Sequence, residues 1–429
     1  MKGIARHIFE HALRESSITQ AFARHVQCER GILRICEDLY DLNSYGRVFV
    51  ISIGKAAHSM LTALHEQTGE RFEGIVASSV AAEFQVRGFR YFQGGHPLPN
   101  AESIRAAEAM LKSLNALDEA SLAIFLLSGG GSATLERPLD DEISLDDLVE
   151  TYRALVYSGG SISEINTIRK HLSAIKGGRL AQAAYPAQQV SILVSDVPDN
   201  TPDALASGPT MPDSTTVADC YALAAKHKLV HQLPASVREL FERHAIEETP
   251  KSDDPAFLRA RWWTILSNSA MLAAAKREAE RQGFVVEIEN ACDDWDYAKA
   301  ADHLLHRLRE LGRTNERVCL LSGGEVTVHV ENGGMGGRNQ QFALYCAEKI
   351  SGENICVLSA GSDGIDGNSP ATGAVVDGST PERAKARGLN AAAHLRAFDA
   401  FPLFEALGDA IITGPTGNNL RDLRILLAY

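Results

Sequence analysis

Residues 322–343 read SGGEVTVHVENGGMGGRNQQFA. A hydrophobic run at 318–321 leads into Ser322, Gly323, Gly324 and Glu325, after which Val326, Val328 and Val330 alternate as a strand does. A second glycine cluster, Gly333, Gly334, Gly336 and Gly337, leads into Arg338, Asn339 and Gln340 at the start of an apolar helical pattern. The stretch predicts strand, tight turn, strand, tight turn, helix. Glycine lets backbone N–H groups converge on an anion with no Cβ in the way. Arg338 and Asn339 fall in a first helical turn, where a phosphate or carboxylate is favourable. Two readings stand side by side: a held anionic ligand, and a set of tight turns at a sheet edge.

The same theme recurs outward from this stretch. Helical spacing covers residues 2–40. Strands are expected at 48–53, 74–79, 89–92, 122–127, 190–194, 284–288, 318–321 and 355–358, with helices at 101–114, 268–281 and 298–311 between them. Strands alternating with helices predict an α/β protein with a largely parallel sheet, its site loops at the carboxyl ends of the strands. Phe125 to Gly130 (FLLSGG) is echoed by Cys319 to Gly324 (CLLSGG), which suggests two α/β domains, each with a glycine-rich strand end. A cleft between them is the default ligand site. The acidic, proline-containing residues 245–258 read as a linker or an irregular surface segment.

The bulk numbers limit the function classes. The chain has 429 residues, 45% hydrophobic and 23% charged, which is long for one core and ordinary for a folded protein. A net charge of −13 with no basic block argues against nucleic acid and anionic membranes as partners, while leaving room for a locally positive site. Seven dispersed cysteines without a CxxC pair fit free thiols in a reducing compartment. There is no signal-peptide pattern at the start and no run of 18 apolar residues, so a cytoplasmic location is expected.

Several chemistries lack their motifs. The first strand is followed by Gly54, Lys55, Ala56 and Ala57, neither a dinucleotide fingerprint nor a phosphate-binding loop of the GxxxxGK type. HExxH and GxSxG are absent as well. What recurs is cations near glycine turns, Lys55, Arg169, Lys170, Lys176, Arg179 and Arg338, and carboxylates at strand ends, Asp196, Asp199, Glu325, Asp363 and Asp366. Each cation alone reads as an ion-pair residue and each carboxylate as a turn cap. As a set they form a phosphoryl-transfer inventory: clamps for phosphate or carboxylate, ligands for Mg²⁺, and backbone cradles.

The combined motifs resemble class II glycerate 2-kinases of the MOFRL type, a family often given the older name hydroxypyruvate reductase. The resemblance runs nearly end to end, through IGKAA (53–57), GHPLP (95–99), LLSGGGSA (126–133), INTIRKHLSAIKGGRL (165–180), SDVP (195–198), ASGPT (206–210), LLSGGEVTV (320–328), GGRNQ (336–340), SDGIDG (362–367) and TGPTGNN (413–419). It implies a Rossmann-like N-terminal domain with a mostly parallel sheet, a smaller α/β C-terminal domain, and an active site in the cleft between them. The segments assigned are residues 1–245, a connecting and supporting segment at 246–314, and 315–429.

The resemblance also implies ATP-dependent phosphorylation of D-glycerate at its 2-hydroxyl with a divalent metal, Mg²⁺, and Lys55 and Arg338 as catalytic residues. Asp196 is the candidate for positioning or deprotonating the hydroxyl. Ser128, Gly129, Gly130, Gly131, Ser132, Gly323, Gly324 and Asn339 are the candidate nucleotide or substrate contacts, and Glu325 and Asp363 the candidate metal ligands. The chain departs from the family pattern at Asp199, Asn200 and Thr201, where Gly-Asp-Asp is usual, at Ser362 and at Asn418, where Thr is usual in each case. Asp203 is near enough in sequence to replace a lost carboxylate. A nicotinamide-dependent hydroxypyruvate reductase, a kinase for a related hydroxy acid and a silent binding protein are the rival readings. Monomer and homodimer both fit.

Overall fold

The computed structural model describes residues 1–69, 72–330 and 333–429. Glu331 and Asn332 of the opening stretch lie outside them. Contacts group the chain into two compact α/β units: Ala21–Ile265, and Met1–Gln20 together with Leu266–Tyr429.

The Ala21–Ile265 unit begins the second half of what spacing assigned to helix. Helix holds for Lys2–Glu15 and Ile18–His25. An antiparallel meander follows, β1 (Val26–Glu29), β2 (Ile32–Ile35) and β3 (Asp38–Asp41). Arg30 and Gly31 both take positive φ, the pattern of a two-residue hairpin turn, and Leu33 and Ile35 bury at period two.

The main sheet of this unit comprises β4 (Arg47–Ile53), β5 (Glu73–Ser78), β6 (Phe89–Gln93), β7 (Ser121–Ser128), β8 (Gln188–Val194) and β9 (Ala260–Leu266), ordered β6-β5-β4-β7-β8-β9. The pairs β6/β5, β5/β4, β4/β7 and β7/β8 are parallel. All residues of β7 are buried, which is why SLAIFLLS shows no alternation. Met110 and Leu114 of the helix Ala101–Leu114 pack with Phe49, Phe125 and Leu193 on one face of the sheet. Because the strands run parallel, the carboxyl ends of β4, β7 and β8 share one edge, and the glycine motifs gather there.

Residues 246–314 do more than connect. They supply β9 to the first sheet, and the helices Asn268–Arg281 and Tyr297–Gly312 with β10 (Val285–Ile288) to the second unit.

The second unit carries β10, β11 (Val318–Ser322), β12 (Ile355–Gly361), β13 (Gly373–Asp377), β14 (Ala410–Ile411) and β15 (Asp422–Ala428), ordered β10-β11-β15-β12-β13-β14. Only β10/β11 is parallel; the other pairs are antiparallel. The last strand of the chain thus inserts between β11 and β12, at the centre of the sheet. Phe342 and Leu344 of the helix Arg338–Lys349 join Leu304, Leu308, Val357 and Leu426 in the core. Helix Lys2–Glu15 buries Ala5, Ile8, Phe9 and Ala12 and packs on Asn268–Arg281, which ties the chain's first residues to this unit. The valine alternation at 326–330 forms no ladder: Thr327 makes a single bridge to Asp296, and Val330 is exposed.

The seven cysteines are free thiols, as their spacing suggested. No helix among the described residues is long and apolar enough to cross a membrane.

Candidate active site

At the end of β4 the chain turns through Gly54 with φ +112°. A Cβ at Gly54 would lie 2.4 Å from Ser128 Oγ, so glycine is what lets the ends of β4 and β7 close on each other. Ser128 Oγ donates to Ile53 O (3.1 Å) and accepts from the Ala56 N–H (3.1 Å), while the Lys55 N–H donates to Gly129 O (2.9 Å). The motifs at 53–57 and 126–133 are therefore one structure.

The Lys55 side chain is exposed and lies over Gly130, where an added Cβ would come within 3.0 Å of its Cγ and 3.2 Å of its Cε. The same Cβ would lie 3.3 Å from His96 Cδ2. Burial, and then the Lys55 charge, push the His96 pKa down, so the ring is neutral at neutral pH. Asp196, at the end of β8, rests on the glycine turn: a Cβ on Gly129 would fall 1.8 Å from its Oδ2. Ser132 and Ser207 share a hydroxyl hydrogen bond of 2.8 Å. Ser207 O and Gly208 O accept the N–H groups of Gly177 (3.0 Å) and Gly178 (2.8 Å). Motifs scattered over 150 positions of sequence on the order of a domain length thus meet at one sheet edge.

Two of the expected clamps are taken up within the protein. Lys170 Nζ pairs with Asp203 (3.0 Å) and Asp213 (3.2 Å). Lys176 pairs with Glu136, which also accepts from the Tyr152 hydroxyl and Ser173 Oγ. Both lysines are buried, and a buried ammonium without a carboxylate is costly, so each serves the fold. Asp203, the carboxylate expected to replace a lost metal ligand, faces Lys170 instead. Arg179 is nearly buried and reaches Glu248 O at 3.4 Å.

In the second unit Arg338 opens its helix and meets Asp422 of β15 through Nε (2.7 Å) and Nη2 (3.0 Å); Nη2 also reaches Glu325 Oε1 at 2.9 Å. Burial works against its charge, and Asp422 outweighs that, so the guanidinium pKa is raised. The glycine turn after β11 is fully engaged. Gly323, Gly324 and Glu325 donate their N–H groups to Asn290 (2.9 Å), Asn268 (3.2 Å) and Asp293 (3.0 Å). Buried Arg424 donates to Gly323 O (2.8 Å) and Gly324 O (3.2 Å). Gly323 and Gly324 were expected to cradle a phosphate; their N–H groups already have side-chain acceptors, which satisfies the backbone without a ligand.

The anion expected at the N-terminus of the Arg338–Lys349 helix is also supplied internally. Asp366 accepts from Asn339 N–H (3.0 Å) and Gln340 N–H (2.9 Å), and from Gln340 Nε2 (3.0 Å). Asn339 is buried, with Ser359 Oγ on its Oδ1 at 2.6 Å, and so is part of the helix cap rather than a ligand contact. Asp363 is exposed and accepts from the Ile365 N–H at 3.2 Å. Glu325 and Asp363 are not brought together with a third ligand: no group of three or more His, Cys, Asp or Glu among the described residues is placed to hold a metal.

Residues 4–242 match a family model described as a domain of unknown function (DUF4147), and residues 318–422 match the MOFRL family. A D-glycerate 2-kinase of Thermotoga maritima is 35% identical over 387 residues, 88% of this chain and 90% of that protein. The chain belongs to the class II glycerate 2-kinase family, MOFRL type. Another relative, from Agrobacterium vitis, is provisionally named a hydroxypyruvate reductase and is 35% identical over 401 residues, covering 89% of this chain and 87% of its own. The crystal structure of a glycerate kinase from Thermotoga maritima matches with a TM-score of 0.87 at 33% identity, covering 100% of this chain and 99% of that one.

Within this glycerate 2-kinase fold, sequence reasoning missed Glu136, Tyr152 and Asp422. Asp422 had one available signal, an acid at the head of the apolar run LRILLA. Glu136 and Tyr152 had none, because their partners are distant in sequence.

Proposed function

We propose that this protein transfers the γ-phosphoryl group of ATP to the 2-hydroxyl of D-glycerate, giving 2-phosphoglycerate and ADP. The reading rests on one observation above the rest: Lys55, the Ser128 to Ser132 turn and Asp196 meet at the carboxyl ends of β4, β7 and β8. The name of the Thermotoga relative supports the substrate.

In this reaction the glycerate hydroxyl oxygen forms a bond to the γ-phosphorus as the bond to the β–γ bridging oxygen breaks. The hydroxyl proton passes to Asp196 or to water. A free Asp has a pKa of about 4 and is a weak base, which suffices for a loose transition state. Lys55 offsets charge on the transferring oxygens, and Arg338 is the second catalytic candidate. Mg²⁺ needs only one or two protein carboxylates when phosphates supply the remaining ligands, and exposed Asp363 has that character, whereas Glu325 would have to leave Arg338. The metal would neutralise phosphate charge.

The test is product analysis with D-glycerate, ATP and Mg²⁺, read by coupling to enolase, which acts on 2-phosphoglycerate and not on the 3-isomer. Immediate coupling, abolished in K55A and R338A, is expected. Silence with ATP, together with oxidation of NADH or NADPH on adding hydroxypyruvate, would establish the reductase instead.

A further inference from the structure

Besides Lys55, five cations stand near the glycine motifs, and the structure separates them by what they hold. Lys170, Lys176 and Arg338 are each paired with carboxylates, and Arg179 donates to a backbone carbonyl. The Arg169 side chain has no ion pair and no hydrogen bond among the described residues. Its Nε is buried without a partner. Its guanidinium carbon stands 4.3 Å from the centroid of the Tyr152 ring.

Arg179 and Arg424 also bury an Nε without an acceptor, but each donates through another nitrogen; a partly buried guanidinium with no acceptor at all forfeits the hydrogen bonds it had in water. The surroundings do not explain it as a structural ion pair. The carboxylate of this cluster, Glu136, already takes Lys176, Tyr152 and Ser173. With Glu136 and Lys176 cancelling, the cluster keeps one net positive charge, on Arg169. The Tyr152 ring under the guanidinium attracts it as a cation. Meanwhile the helix that carries it, Ile162–Leu172, packs on Pro202–Ser207, whose Ser207 hydroxyl meets Ser132 of the glycine turn. Glu136 itself follows that turn by four residues.

We infer that Arg169 is the receptor for the carboxylate of the substrate, its guanidinium held over the Tyr152 ring. A planar guanidinium with free N–H groups suits a carboxylate, which it can take through two parallel hydrogen bonds. This assignment rests on the proposed substrate class and names the group that would distinguish a hydroxy acid from an uncharged polyol. Lys170, next in sequence, is already held by Asp203 and Asp213 and cannot stand in.

The experiment is a binding titration without nucleotide, so that it reads independently of phosphoryl transfer. D-glycerate and uncharged glyceramide are titrated into wild-type protein, R169K and R169M; methionine keeps apolar contact with Tyr152. R169M is expected to weaken D-glycerate about 10- to 100-fold, the loss of hydrogen bonds to a charged group, and to leave glyceramide unchanged. R169K is expected to fall between, because it restores charge but not the paired geometry. Equal D-glycerate affinity in wild type and R169M, or equal losses for both ligands, overturns the assignment, as does no D-glycerate binding in the wild type. D-glycerate binding that depends on Arg169 without enolase-coupled product would instead remove the kinase reading and keep the carboxylate receptor.

Discussion

Asp422 holds Arg338 by two parallel hydrogen bonds, 2.7 and 3.0 Å long, from the middle of a sheet to the first residue of a helix. The same carboxylate lies 3.5 Å from Arg424, whose other contacts fix the carbonyls of Gly323 and Gly324. One buried acid therefore sets both the catalytic candidate and the turn beside it. Asp422 is a positioning residue, since it reaches the chemistry only through Arg338.

Asp422→Asn keeps the shape and removes one acceptor and the charge. We expect kcat to fall about 10- to 100-fold, the range for a displaced charge-assisted hydrogen bond, with KM for ATP and D-glycerate changing less. Asp422→Ala leaves Arg424 with no carboxylate and Arg338 with Glu325 alone, and should also lower stability by about 3–5 kcal/mol, read by urea unfolding. A D422N enzyme with wild-type kcat would mean that Arg338 needs no fixed orientation.

The cap of the same helix carries a pH signature. Burial lifts the Asp366 pKa to about 6, and the N–H groups of Asn339 and Gln340 pull it back only in part; Asp422 adds to the rise. The folded value lies above the unfolded one, so this carboxyl favours the fold most when protonated, and that contribution fades as pH rises through about 6. Function runs the other way. The ionised carboxylate accepts from both N–H groups, and protonation turns one oxygen into a donor facing them. Turnover should therefore fall below about pH 6 along an acid limb set by Asp366. Asp366→Asn should be slower at pH 7.5 and should lack that limb. An unchanged limb in D366N assigns it to another group.

Gly129 tests whether Asp196 must lie on the turn. An added methyl would overlap Asp196 Oδ2 at 1.8 Å, and the carboxylate must move. Gly129→Ala should reduce kcat about as much as Asp196→Ala does, and the double variant should be no worse than either, the mark of two changes acting through one contact. Additive losses would separate the two residues. Circular dichroism melts of the three variants check that the fold persists.

These relationships show what could be read in advance and what could not. The parallel sheet was legible because β4, β7 and β8 are short apolar runs that each end in a glycine or serine turn. The helix Ala101–Leu114 was legible from Asn100, whose side chain accepts from the Ser103 N–H. The meander at 26–41 was not, because Val26, Ile32 and Leu33 fit a helical period as well as a strand, and the deciding positive φ at Arg30 needs the turn itself. Cations and acids were found as residue types, but their pairing was hidden. Lys176 and Arg169 look alike in sequence, and only Glu136, 40 residues from Lys176, tells the structural cation from the unpaired one. Gly324 and Gly130 likewise share the SGG pattern and a left-handed φ, yet the turn at Gly324 is braced by Asn268 and Asp293 while that at Gly130 lies under Lys55.

The Glu136 cluster offers the sharpest stability prediction. Glu136 and Lys176 are both buried, and Tyr152 and Ser173 complete the carboxylate's hydrogen bonds. Burial lowers the Lys176 pKa and the Glu136 charge opposes that, so the ammonium depends on its partner to stay charged inside the protein. Glu136→Gln removes the partner and keeps the volume. We expect a loss of about 3–5 kcal/mol in urea unfolding, with the m-value unchanged. Lys176→Met should be milder, because Tyr152 and Ser173 still donate to the Glu136 carboxylate. The double variant E136Q/K176M should recover much of the E136Q loss, since a buried pair replaced on both sides leaves no unpaired charge. The recovery must appear in stability and not in the affinity for D-glycerate, because the pair braces the ring that carries Arg169 without itself meeting the carboxylate. A double variant as unstable as E136Q would mean that Tyr152 and Ser173, rather than Lys176, are what the buried carboxylate serves.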